Sequence, residues 1–449
     1  MKKLFIILSV LLSCGIFIHA QTITPATALV AYLHNDDKTY AWEVCDTYEI
    51  DQVTVYSLLF VSQKWQDILW KHELLVYVPQ KVTQDGALLF ISGGAINEKW
   101  PKMISKDDST SCFLSNIAKQ NKALVCMLKQ VPNQPLYGGL KEDALISYTL
   151  NEFRKSKDYS WPLLFPMVKS ARSAMNVVQD FANTQLKQSI RRFVISGASK
   201  RGWTTWLTGA SEDPRVIAIA PMVIDMLNMP VSLDYQKQLY GGYSKEINDY
   251  VNLDIPQAVH SDFGKAIIQM IDPYSYREKL TMPKLIFMAT NDPYWTLDAV
   301  KNYLYEIPGK NMLHYVPNAG HSMGDKKQVF RALNAFFSIT LNNTQYPVSS
   351  WELTEKGKTI RLKIHAQPEK LIGAILWTTS LNSRDFRKST WTKSELKLNS
   401  KNKSEIDIKQ KYPKTGFNAF YVDLIYQDPN GEEFTVSTRT YTMDTKKVL

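Results

Sequence analysis

The sequence of 449 residues predicts an α/β chain: a mostly parallel sheet covered on both faces, with a helical insertion, followed by an all-β segment. Three observations carry that expectation. Short apolar runs at 87–91, 123–128, 193–195, 216–223, 284–289 and 312–316 alternate with segments of helical periodicity, the pattern of strands buried on both faces. The stretch 228–281 breaks the alternation with a long, mixed, aromatic-rich segment that reads as a cap over the sheet. After residue 342 the period changes, and strand-like runs at 350–354, 359–364, 374–379, 404–408, 419–426 and 433–439 are separated by turn signals such as Asp428-Pro429-Asn430-Gly431. That pattern predicts a β-sandwich. The organisation expected is a leader at 1–20, an α/β domain at 21–343 with its cap at 228–281, and a β-sandwich at 344–449.

Lys2-Lys3, an apolar stretch at 4–18 and a small residue at Ala20 make residues 1–20 a cleavable secretory signal, too short for a membrane span. The expected location is therefore secreted or periplasmic. Leu11-Leu12-Ser13-Cys14 offers the alternative of a lipid anchor at Cys14, the single route to a membrane that the sequence suggests. Beyond the leader, Cys45, Cys112 and Cys126 are an odd number, which argues against a disulfide framework. No Cys/His spacing predicts a metal site, and no phosphate-loop or dinucleotide motif predicts a cofactor. A net charge of +10, much of it in the Lys-rich 393–414 region, comes without a nucleic-acid motif. It reads as a solvated basic face, with no nucleic-acid partner expected.

Within the α/β part, aromatic and β-branched alternation at 40–50, 54–61 and 73–78 predicts antiparallel strands at one sheet edge. The run at 87–91 ends in Ser92-Gly93-Gly94-Ala95, where a glycine pair after a central strand either turns the chain or presents backbone N–H groups to a ligand. Helices are predicted at 113–119, 142–153, 166–181, 297–305 and 328–337.

The chemistry centres on residues 192–206, Arg-Phe-Val-Ile-Ser-Gly-Ala-Ser-Lys-Arg-Gly-Trp-Thr-Thr-Trp. A strand, a small sharp turn and a helix with Trp203, Trp206 and Leu207 on one face describe a nucleophile elbow, which lifts a serine hydroxyl above the sheet at a helix N-terminus. The usual G-x-S-x-G spacing is altered: Gly197 and Ser199 are in place, Arg201 stands where glycine is expected, and Gly202 follows one position later. A serine needs a base to accept its proton. Of seven histidines, His321 in Pro317-Asn318-Ala319-Gly320-His321 follows the last strand of the α/β part, where such folds place the base, whereas His314 lies inside a strand and reads as packed. Two acids compete to orient it. Asp292 follows the strand at 284–289 and gives the order Ser199, Asp292, His321; Asp225 follows the strand before. The Lys200 N–H and the Gly93–Gly94–Ala95 loop are the oxyanion-hole candidates. Lys200 and Arg201 either steer an anionic substrate or form the polar side of the helix; Asn133, Tyr294 and Trp295 complete the binding candidates with Arg201.

The elbow Gly197-Ala198-Ser199-Lys200-Arg201-Gly202-Trp203-Thr204-Thr205-Trp206 resembles the PhoPQ-activated pathogenicity-related family. The likeness extends to Ser62-Gln63 with Trp65, Trp70 and His72, to Pro132-Asn133-Gln134-Pro135, Glu142-Asp143, Pro166-Met167 with Lys169, and Ile224-Asp225 with Leu227-Asn228. It continues through Asp272-Pro273-Tyr274-Ser275-Tyr276 and the His321 loop to Arg384-Asp385-Phe386-Arg387. The sequence departs from the family where Asp292 is followed by Pro293-Tyr294-Trp295. The resemblance implies an α/β-hydrolase fold, an immunoglobulin-like C-terminal domain, a link to antimicrobial-peptide resistance, and no settled substrate. The elbow spacing is also similar, locally, to that of glucuronoyl esterases. The resulting expectation is a cofactor-independent, esterase-like serine hydrolase cleaving an ester or amide bond of a small-molecule ester or peptide substrate, with a peptidase for cationic peptides and a hydrolase-fold binding protein without turnover as alternatives.

Overall fold

A computed structural model describes residues 22–96, 108–367, 371–398 and 402–449. The leader and Cys14 lie outside the described residues. Three antiparallel strands open the fold, β1 (Ala41–Ile50), β2 (Val53–Trp65) and β3 (Ile68–Pro79), after a short helix α1 (Ala28–Leu33). The α/β part follows: β4 (Gly86–Ile91), α2 (Ser109–Asn121), β5 (Leu124–Leu128), α3 (Glu142–Ser156), α4 (Leu164–Phe181), β6 (Arg192–Ala198), α5 (Lys200–Gly209) and β7 (Val216–Met222). The insertion carries α6 (Met229–Tyr240), α7 (Asn248–Val251) and α8 (Asp262–Ile271), before β8 (Lys284–Ala289), β9 (Asn311–Val316) and α9 (Lys327–Leu341).

The sheet runs β1-β2-β3-β5-β4-β6-β7-β8-β9, parallel from β5 through β9. This is an α/β-hydrolase arrangement. Alternation along β4 shows why both faces are covered. Ala87, Leu89 and Ile91 join the apolar cluster of α3, α4 and α5, while Leu88 and Phe90 join that of α2 and α9. The chain leaves β4 toward β5 and returns to β6 on its other side, so the loops after β4 and β6 diverge above the carboxyl ends of the strands. A crevice opens at such a switch point.

Among the described residues eight further strands follow: β10 (Ser350–Lys356), β11 (Thr359–His365), β12 (Leu371–Leu381), β13 (Thr392–Leu396), β14 (Glu405–Lys411), β15 (Phe417–Gln427), β16 (Glu433–Ser437) and β17 (Tyr441–Met443). β10, β11 and β14 form a three-stranded antiparallel sheet. The others extend the large sheet, because β16 pairs with β9 at Ser437 and Leu313. Ile360, Leu362 and Ile406 of the small sheet share one apolar cluster with Ala374, Val422 and Leu424 of the large one.

Two differences from the sequence reading have physical reasons. The segment 297–305 forms two 3-10 turns, Ala299–Asn302 and Leu304–Glu306, in place of an α-helix. Its buried Val300, Tyr303 and Leu304 satisfy either spacing, while Asp298 is drawn away to accept from Tyr235 and Thr442. β13 and β17 were not anticipated: β13 is exposed at four of its five residues and carries no apolar alternation, and β17 has three residues.

The C-terminal part also holds the loops above the sheet. Asn291 donates to the carbonyl of Ser389 at 2.7 Å, and Asn318 exchanges two hydrogen bonds with the Trp391 backbone at 3.0 and 2.7 Å. Phe386, Trp391 and Tyr421 sit in the same apolar cluster as Leu313 and Tyr315. A chain ended at residue 344 exposes that surface and loses those bonds. It is expected to lose cooperative unfolding and near-ultraviolet circular dichroism, and a truncated chain that keeps both would contradict this packing.

Candidate active site

Ser199 sits between β6 and α5 with φ 58° and ψ −124°. A non-glycine residue held at positive φ costs about 1–3 kcal/mol, so the surroundings must enforce it. The Ser199 N–H donates to the Met222 carbonyl at 2.8 Å, and the Ser199 carbonyl accepts from Trp203 at 2.9 Å. Gly202 explains the altered motif. A Cβ there would lie 2.6 Å from the Met222 carbonyl oxygen, so glycine at this position lets the first turn of α5 approach the end of β7.

His321 receives both neighbours the sequence suggested. Its Nε2 lies 2.8 Å from Ser199 Oγ and its Nδ1 2.8 Å from Asp292 Oδ2. The other carboxylate oxygen, Asp292 Oδ1, accepts the Tyr294 N–H at 2.9 Å, an Asx-type turn across Pro293 that fixes the carboxylate's direction. The Tyr294 ring lies over the imidazole, with centroids 4.2 Å apart. The loops carrying Asp292 and His321 are joined directly: Asn291 N–H donates to the Ala319 carbonyl, and Asn318 N–H to Thr290 Oγ1.

Asp225 is placed elsewhere. It is buried and accepts the Tyr303 hydroxyl at 2.7 Å, while the Nδ1 of His321 pairs with Asp292. Burial, reinforced by the Asp292 charge and only partly offset by Tyr303, pushes its carboxyl up to about 7. Val223, a β-branched residue at φ 46°, turns the chain at the end of β7 and accepts the Trp295 indole at 3.2 Å.

The two cations after Ser199 are already partnered. Arg201 makes a bidentate pair with Glu142, at 2.8 and 2.7 Å, and donates to the Val131 carbonyl. Burial raises the Glu142 carboxyl, but the hydrogen bonds and charge of Arg201 outweigh it and hold the group near 2. Lys200 Nζ lies 2.9 Å from Asp143 Oδ2 and 3.4 Å from Glu142. Gly93 lies against this cluster, since a Cβ on it would collide with the Arg201 guanidinium. Gln134 contributes twice, donating to the Gly94 carbonyl and to Glu142. Thus the 93–95 loop is fastened beside the first turn of α5, where the Lys200 N–H has no acceptor one turn earlier in the helix. Asn133 is buried and donates to the Lys71 carbonyl, away from this cluster. Asp143 and Glu142 are the partners the sequence did not reveal, because 57 and 59 residues separate them from Lys200 and Arg201.

Beside Ser199 opens a cavity lined by Lys200, Trp203, Tyr294, Trp295 and cap residues. The cap is tied down around it. Trp203 Nε1 donates to the Ile271 carbonyl at 2.6 Å, and Gln236 and Tyr240 of α6 donate to the carbonyls of Tyr294 and Trp295. Arg201, Gly93, Gly94, Ala95 and Asn133 do not line the cavity. Other histidines lie apart: His314 and His72 are fully buried, which lowers both to about 4, and His260 pairs with Asp234 at the surface.

Residues 29–387 match the description "PhoPQ-activated pathogenicity-related protein". The chain belongs to that family. It is 30% identical to the autocrine proliferation repressor protein A of Dictyostelium discoideum, over 95% of this chain and 90% of that one. Among solved structures it is similar to acetyl xylan esterase 1 from Thermoanaerobacterium sp. JW/SL YS485, at 16% identity and TM-score 0.46 over 66% of this chain and 87% of that one. It is also similar to an S-formylglutathione hydrolase from Agrobacterium tumefaciens, at 10% identity and TM-score 0.44 over 68% and 100%.

Two outcomes follow from this family member's geometry. Gly202→Ala drives a methyl group into the Met222 carbonyl and is expected to cost about 1–3 kcal/mol in urea unfolding. Asp225, raised in the fold above its unfolded value near 4, adds stability below that value, and the contribution is lost as pH rises toward 7. Thermal unfolding of Asp225→Asn should therefore lose less stability than wild type between pH 4 and 7; equal slopes would show that the buried carboxyl does not titrate there.

Proposed function

We propose that the protein is a secreted serine hydrolase, esterase-like, in which Ser199, His321 and Asp292 act as a triad. The observation that carries the reading is the unbroken chain of contacts from Ser199 Oγ to His321 to Asp292, 2.8 Å at each step. Ser199 Oγ attacks an ester carbonyl as His321 Nε2 takes its proton. Asp292 holds the Nδ1–H tautomer and stabilises the imidazolium. The Oγ–C bond forms, and the C–O bond to the leaving alcohol breaks. The alkoxide departs with its electron pair and receives the proton from His321. Water then attacks the acyl-enzyme, giving its proton to His321, and Ser199 is regenerated with release of the acid. Lys200 N–H and the 93–95 loop are the proposed oxyanion donors. They are supported by the position of Lys200 at the start of α5 and by the fastening of Gly93 against Arg201.

In this reading Arg201 is not a substrate ligand. Its pairing with Glu142 serves to hold the elbow to the start of α3. Residues 1–20 act as the export signal, with a lipid anchor at Cys14 as the variant of that route. Residues 344–449, proposed to be immunoglobulin-like, position the acid and base loops. Ser199→Ala is expected to abolish fluorophosphonate labelling and to cut ester turnover roughly 10⁶-fold. Asp292→Asn should keep the fold and lose roughly 10⁴ in turnover, while Asp225→Asn loses far less. Persistent labelling of the Ser199→Ala protein, or the reverse ranking of the two Asp variants, would overturn the assignment.

A further inference from the structure

We infer that the cavity beside Ser199 takes the acyl half of the substrate, and that this half is an uncharged hydrocarbon chain. The inference rests on the serine-hydrolase reading and adds the substrate class. The wall is aliphatic: Leu150 from α3, Ile224 and Met226 after β7, Leu233 from α6, and Ile267 and Ile271 from α8. Apolar walls favour apolar ligands in proportion to the surface removed from water.

The charged groups at the wall cancel. Asp143 Oδ2 is 2.9 Å from Lys200 Nζ, and Asp143 Oδ1 accepts the Tyr250 hydroxyl at 2.9 Å. Both members of the ion pair are largely buried, with side chains 14% and 10% exposed. A substrate ammonium would have to displace Lys200 from Asp143, and a substrate carboxylate would have to displace Asp143 from Lys200. Either leaves a buried charge without its partner, which is strongly unfavourable. Tyr250 and Tyr294, the other titratable groups at the wall, are held neutral: burial, with the nearby Asp143 charge, raises both above the usual phenol range. Among the described residues the cavity therefore has no unpaired charge with which to select a cationic peptide.

The acyl half, not the alcohol half, is assigned to this space by position. The leaving group must reach His321 Nε2 to collect its proton. Ser199 and Lys200 line the cavity, whereas His321 does not. The group that enters it is thus on the serine and oxyanion side of the carbonyl.

The test uses p-nitrophenyl alkylphosphonates with methyl, butyl, hexyl and octyl chains on phosphorus. Attack forms the Ser199 Oγ–P bond, breaks the P–O bond to p-nitrophenolate, which leaves with its electron pair, and passes the serine proton to His321. Phosphonylation is read by mass and by nitrophenolate release, so no turnover is needed. The second-order rate is expected to rise about fourfold for each methylene that enters the cavity. Hexyl chains ending in an ammonium or a carboxylate should react at least tenfold more slowly than neutral hexyl. Leu233→Trp, which fills the cap side, should flatten the rise beyond butyl; Ile268→Trp on α8 is the second variant if the first does not fold. Rates that are flat or fall with chain length, or a preference for the ammonium chain, overturn this inference while leaving Ser199 as nucleophile. Absence of phosphonylation at every chain length overturns the serine-hydrolase reading itself.

Discussion

The close approach of α5 to the end of β7 is the constraint on which the rest depends. Gly202 permits it, and the Ser199 N–H to Met222 carbonyl bond at 2.8 Å closes it. With that distance fixed, Ser199 is held at positive φ and its hydroxyl faces His321. Moving glycine one place along the motif frees the preceding position for a long side chain. Arg201 uses that freedom to reach Glu142 and the Val131 carbonyl, so a departure from the usual spacing becomes a brace between three segments. The strain at Ser199 is maintained by backbone contacts and an ion pair together.

Much of this was legible in the sequence because it is local. The apolar runs identified the central strands, and the strand at 284–289 has the bounds expected. His321 stood out by its place after the last strand of the α/β part, and the geometry puts it beside Ser199. The sequence left Asp225 and Asp292 in competition, since each follows a buried strand. They differ in what they touch, Tyr303 for one and His321 for the other, and such contacts have no local signature. The same limit hid the roles of Lys200 and Arg201. A positive charge can be read from one residue, but whether it is spent on a substrate or on Glu142 and Asp143 depends on packing across nearly 60 residues.

Secondary structure failed where burial was weak or the pattern ambiguous. β13, Thr-Lys-Ser-Glu-Leu, is an exposed strand whose pairing to β12 decides its conformation. The turns near Val300 and Leu304 bury the same residues a helix would have buried, and the hydrogen bonds at Asp298 select the tighter form. The C-terminal strands read as a separate β-sandwich, whereas the polar contacts at Asn291 and Asn318 and the pairing of β16 with β9 run across that boundary.

Those cross-boundary contacts set an order of events during synthesis. Ser199, Asp292 and His321 have all been made before Ser389 and Trp391, and the strand that pairs with β9 comes later still. Domains generally fold as their chain emerges, the N-terminal part first. Here the loops bearing Asp292 and His321 gain their outer wall only when about 70 more residues beyond His321 have been added. Ser199 can be shaped early by its own turn and helix, but His321 and Asp292 become fixed relative to it late. Assembly of the proposed triad is thereby timed to the later part of the chain.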